Sequence, residues 1–115
     1  MAQRNFSYTY RGPIRISEPD LQLVRDGKKC CTIRKGSVDV SNPLTSVASR
    51  SAVIPISVER LENIRFDALT ERHAAAEGFT TVEELRRDLR KYYPDLNSES
   101  VLTVIWFRVR DISER

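Results

Sequence analysis

The chain is short of the residues that staple, chelate or anchor a protein. It has two cysteines in 115 residues, and they are neighbours, Cys30 and Cys31. Adjacent thiols cannot cross-link distant parts of a fold, and a disulfide between them is strained, which fits a reducing compartment. The single histidine, His73, and a vicinal cysteine pair do not supply the turn-separated ligands of a tetrahedral site, so neither metal nor cofactor is expected. No apolar run approaches the roughly 20 residues of a membrane helix, and residues 1–12 lack the apolar core of a signal peptide. The expectation is a cytoplasmic protein with no membrane partner.

What is present suits one globular unit. A chain of this length with 40% hydrophobic residues can bury one core and is too short for two, so a single domain 1–115 is expected, with an extended N-terminal segment 1–16. Basic residues number 19 against 16 acidic ones, a net charge of +3, and arginine far outnumbers lysine. Guanidinium forks bind phosphate, so the excess inclines toward polyanionic partners such as RNA. Basic residues on helices are also commonly a solvated face, and charge alone does not decide.

Four glycines and five prolines punctuate a strand-rich order. Residues 6–10 alternate aromatic and polar, an edge strand ended by Arg11-Gly12-Pro13. A short helix follows, capped by Ser17, with Pro19 in its first turn, Leu21 and Val24 on its apolar face and Gly27 at its end. Residues 37–51 are serine-rich around Asn42-Pro43 and read as a long loop, with at most a short strand over 38–40. Residues 52–66 read as a long or bent strand in which Pro55 demands an edge or a bulge. Asp67 is placed to cap a helix running through Leu69 to about Glu77, stopped by Gly78. Thr81-Val82-Glu83-Glu84 is a capping box for a helix with Val82, Leu85, Leu89 and Tyr92 at helical spacing, ended by Pro94. Residues 101–110, nearly continuous in β-branched and aromatic side chains, read as a central strand.

The densest chemistry lies in Gly27-Lys28-Lys29-Cys30-Cys31-Thr32-Ile33-Arg34. A short strand normally alternates apolar and polar residues, yet here two amines, two thiols, a hydroxyl and a guanidinium crowd together. In a regular strand Lys29 would face away from Thr32 and Arg34, so Lys29 is expected to precede the strand, in the turn that Gly27 opens.

Taken in order, Gly27-x-Lys29-x-x-Thr32-x-Arg34, a middle strand, Leu69-Thr70-Glu71-x-His73-Ala74 leading to Glu77-Gly78-Phe79, a capping box, Tyr93-Pro94 and a final strand resemble the ASCH family. The resemblance covers residues 21–109. It implies an α+β, PUA-like β-barrel of about five to six strands with two to three flanking helices. Within the family the motifs are most similar to small bacterial amidohydrolases that deacetylate N4-acetylcytidine with a lysine, a threonine and a glutamate. That likeness assigns Lys29, Thr32 and Glu77 to catalysis, with Arg34 as a supporting charge and a modified cytidine nucleoside as substrate. Residues 37–51 depart from it, lacking the glycine and aspartate turn of relatives.

The chemistry is coherent in its own right. Amide hydrolysis without a metal needs a nucleophile, a base, an oxyanion stabiliser and an acid for the leaving amine. Thr32 Oγ can attack or orient water, Lys29 can take its proton if burial or the neighbouring Lys28 and Arg34 lower the amine's pKa, Glu77 can protonate the leaving nitrogen and Arg34 can steady the oxyanion or the glutamate. Glu77 also sits at a helix C-terminus, where a carboxylate is electrostatically disfavoured, which points to a purpose beyond helix stability.

Each residue has a plainer reading as well. Lys29 is placed to offset a helix dipole, Thr32 is a β-former, and His73 is assigned to packing or surface and left out of the site. Cys30 and Cys31 are read as buried, with a lysine-activated thiol as a minor alternative. Trp106, Phe107, Tyr92 and Tyr93 can stack on bases, although a nearly all-apolar strand favours core; Arg86, Arg87, Arg90 and Lys91 read as a solvated face. The second functional class is an RNA-binding module, with or without ribonuclease activity, in which Lys28, Lys29, Arg34 and Lys35 line a basic cleft for phosphates.

Overall fold

The structure, a computed structural model, describes residues 7–110. Seven strands and three α-helices follow one another along the chain: β1 (Ser7–Tyr10), β2 (Ile14–Arg15), α1 (Glu18–Arg25), β3 (Cys31–Lys35), β4 (Ser37–Val40), β5 (Leu44–Ala48), β6 (Val53–Arg65), α2 (Glu71–Ala76), α3 (Val82–Tyr92) and β7 (Val101–Val109). A curled five-stranded sheet has the order β2-β5-β6-β7-β3, and β1 and β4 form a separate parallel pair. Both β1 and β2 fall within the N-terminal segment 1–16. Phe6 of the expected first strand lies outside the described residues.

Strand β7 organises the core, as its apolar run predicts. Leu102 and Val104 on one face pack with Cys31, Ile33, Phe66 and the α2–α3 side chains Ala74, Leu85 and Leu89. Ile105 and Phe107 on the other face pack with Ile14, Leu21, Val24, Val47 and Ile56. Alternate residues of one strand therefore feed two apolar clusters, and a strand buried on both faces needs no polar alternation.

Four sequence-based expectations are corrected. Residues 37–51 hold two strands: β4, which covers the short strand expected over 38–40, and β5, where only loop was expected. Val38 and Val47 are buried there, and Thr103 Oγ accepts from the Val38 N–H at 3.0 Å while donating to the Gly36 carbonyl at 2.6 Å. Serines masked the pattern because each strand carries one, Ser37 in β4 and Ser46 in β5.

The helix expected from Asp67 starts four residues later, at Glu71, after a turn of 3-10 helix over Phe66–Ala68. Asp67 does not cap it, because Arg65 holds its carboxylate through Nε at 3.1 Å and Nη2 at 2.7 Å. Leu69 is extended and Thr70 is the N-cap.

Pro55 sits neither on an edge strand nor at the bulge, which falls between Val58 and Arg60. Its carbonyl accepts from the Arg110 N–H at 3.0 Å, at the last rung beside β7, so its missing N–H faces the end of the ladder and interrupts nothing further. Tyr92, expected on the buried face of α3, is 63% exposed, and Tyr93 packs against the core instead.

Candidate active site

Two helix ends and one strand start meet to build the site. Helix α1 begins at Ser17, whose Oγ accepts from the Asp20 N–H at 3.2 Å, and ends at Asp26 with Gly27 in the left-handed region at φ 76°. The N–H groups of Lys28 and Lys29 both donate to the Leu23 carbonyl, at 2.8 and 3.2 Å. Next to them the Cys30 N–H reaches the Ala76 carbonyl at 2.8 Å, and the Cys30 carbonyl accepts from Phe107 at 3.0 Å. Lys29 is thus held in the turn before β3, where the argument from strand alternation places it, and its side chain runs inward.

There Lys29 Nζ pairs with Glu77 Oε1, both side chains buried. Glu77 is the C-cap of α2, with Gly78 following at φ 91°. Burial raises the Glu77 carboxyl above its ordinary value, with the Lys29 amine pulling in the opposite direction.

Thr32 and Arg34 share a face of β3. Arg34 Nη1 donates to Thr32 Oγ at 2.6 Å, Nε to the Tyr10 hydroxyl at 2.8 Å and Nη2 to the Arg15 carbonyl at 2.7 Å. The guanidinium is therefore fixed from β1 and β2, and its charge favours an oxyanion at Thr32 Oγ. Lys29, Thr32, Arg34 and Glu77 all line one cleft of about 400 Å³, a size suited to a small ligand.

The other expected binding residues lie elsewhere. Lys28 is exposed and outside this cleft. Lys35 pairs with Asp95 at 2.8 Å and lines a neighbouring depression. Cys30 is exposed, contrary to the expected burial, because it precedes β3 in the turn that follows Gly27. Cys31 is buried, and burial pushes its thiol well up, against the activation by lysines that the sequence suggested.

Sequence reasoning passed over Asp20, Asp88 and Tyr10. Asp20 and Asp88 line the cleft, and burial, followed by the charge of Asp20, raises the Asp88 carboxyl. A signal existed: Asp88 is the one acid in Arg86-Arg87-Asp88-Leu89-Arg90-Lys91, next to a core leucine.

His73 is buried away from the cleft. Its Nδ1 accepts from the Thr70 N–H at 3.0 Å and its Nε2 meets Glu62 Oε1 at 3.2 Å, while Trp106 Nε1 donates to the same carboxylate at 2.9 Å. Phe107 is core, Tyr92 and Tyr93 line the cleft, and Trp106 does not. On α3, Arg86 and Arg90 lie over the Phe66 ring, at 5.9 and 4.7 Å, a packing role beyond the expected solvated face.

Solved structures with this fold include the ASCH domain from Lactobacillus crispatus JV V101, which matches with a TM-score of 0.72 and 13% identity over 90% of this chain and 79% of that one. Protein EF3133 from Enterococcus faecalis V583, of the family DUF984, matches with a TM-score of 0.67 and 15% identity over 96% and 78%. Hypothetical protein PH0355 matches with a TM-score of 0.64 and 15% identity over 91% and 100%. No protein-family model matches the sequence, and no curated protein is significantly similar to it. The chain has the α+β fold of an ASCH domain.

Proposed function

We propose that this protein is a small metal-independent amidohydrolase of the ASCH family that removes the acyl group from N4-acetylcytidine or a related N4-acylated cytosine nucleoside. The observation that carries the reading is the buried Lys29–Glu77 pair opening, with Thr32, onto one cleft. The ordered motif shared with deacetylases of that class supports it.

Burial raises the Glu77 carboxyl, so within the pair Glu77 can hold the proton that its partner gives up. In that form Lys29 is a base and Glu77 an acid. Lys29 takes the proton of Thr32 as Oγ attacks the acyl carbonyl, and Arg34 stabilises the charge that develops. The C–N bond breaks as Glu77 protonates the exocyclic nitrogen, releasing cytidine and leaving an acyl-threonine. Water then attacks the ester, giving its proton to the Glu77 carboxylate, and the Lys29 ammonium returns a proton to Thr32. One water is consumed, acetic acid leaves and both groups regain their starting form.

The test is release of cytidine from N4-acetylcytidine by wild type and by folded Lys29→Ala, Thr32→Ala and Glu77→Ala variants. Turnover lost in all three is expected. No turnover by wild type at high enzyme concentration sinks the reading.

A further inference from the structure

The chain has four tyrosines, Tyr8, Tyr10, Tyr92 and Tyr93, and all four line the cleft or the depression beside it. The depression holds about 280 Å³ between Tyr8, Tyr10 and Tyr93, and it shares Arg15, Arg34 and Tyr93 with the catalytic cleft. We infer that it is a second base-binding subsite, so that the Lys29–Glu77 centre acts on an acylated cytosine carried in a single-stranded oligonucleotide. The inference rests on the amidohydrolase reading above and specifies its substrate class.

Packing accounts for Tyr10 and Tyr93, which lie against the core, but not for Tyr8 and Tyr92. Tyr8 is 51% exposed on a strand whose one partner is β4, and its ring meets Tyr10 edge-on at 4.8 Å between centroids. Tyr92 is 63% exposed at the mouth of the other compartment. Exposed aromatic faces cost solubility and offer a stacking platform that accepts any base. A cleft of about 400 Å³ has room for one nucleoside, so the adjoining volume is surplus unless the ligand continues.

The cations stand where a continuing backbone would pass. Arg15 is exposed on the wall common to both compartments, with no ion pair among the described residues. Among the described residues the Lys35 amine bonds only to the Asp95 carboxylate, a pair with side chains 35% and 73% exposed, which a phosphate can displace. The acids Asp20 and Asp88 lie in the catalytic compartment alone. The polarity across the two compartments therefore puts the uncharged acylated base beside the acids and the phosphodiester beside Arg15 and Lys35.

The experiment compares kcat/KM for N4-acetylcytidine as free nucleoside and as the middle residue of a single-stranded ribotrinucleotide, at low and high salt. The trinucleotide is expected to be favoured about 10-fold or more, with the preference falling as salt rises. Tyr8→Ala is expected to abolish the preference through KM, and Tyr8→Phe, which keeps the ring, to retain it. A nucleoside turned over as well as the trinucleotide, or a preference untouched by Tyr8→Ala, overturns the inference while the hydrolase reading stands. Turnover of neither substrate overturns both.

Discussion

Lys29 Nζ and Glu77 Oε1 pair across 48 residues of sequence, with side chains 1% and 9% exposed. Breaking a buried pair by removing one partner strands the other, whereas removing both does not. Lys29→Met and Glu77→Leu are each expected to lose about 3–5 kcal/mol of stability, and the double variant to recover most of it. Urea unfolding of the four proteins gives the coupling directly. All three variants should lack hydrolase activity.

Arg34 is a strut as much as a charge, since one guanidinium joins Thr32, Tyr10 and the Arg15 carbonyl. A lysine ammonium cannot reproduce that fork. Arg34→Lys should therefore reduce kcat by about 10- to 100-fold, the equivalent of one charged hydrogen bond, with a cooperative melt retained. Tyr10→Phe removes one of the guanidinium's four hydrogen bonds and should reduce it several-fold.

The carboxyl of Glu62 lies below its ordinary value of 4.5: burial alone would raise it, but hydrogen bonds from Trp106 and His73 outweigh that. A carboxyl depressed in the folded state contributes stability that is present above about pH 4.5 and lost as pH falls through the folded value. Acidification should accordingly weaken the fold around β7, and Glu62→Gln should flatten that dependence at a cost of about 1 kcal/mol at neutral pH. Trp106 is the sole tryptophan, so its fluorescence reads the change.

Two glycines with positive φ separate strain from crowding. A Cβ at Gly27 meets nothing within 4 Å, so Gly27→Ala carries only the left-handed backbone penalty, about 1–2 kcal/mol. At Gly78, φ 91°, the same atom comes within 3.1 Å of Leu23 Cδ1. Gly78→Ala should cost more than Gly27→Ala in thermal unfolding and, by displacing the adjacent Glu77, should also lower kcat.

Local rules determined much of the chain. Ser17, Pro19 and Gly27 bound α1, the Thr81–Glu84 box starts α3, and the apolar run of β7 marks the central strand, because caps, turns and hydrophobic runs act over a few residues. The position of Lys29 before β3 was legible for the same reason. Tertiary structure decided the rest. Residues 37–51 are strands because β1 and β6 offer them edges, and Asp67 caps nothing because Arg65 takes its carboxylate. Burial, which no neighbour in sequence reports, raises the carboxyl of Glu77 and keeps Cys31 a thiol. It is the packing of α2 and α3 with β3 around one apolar cluster, not the spacing of 48 residues, that brings Glu77 to Lys29 and Asp88 to the same cleft.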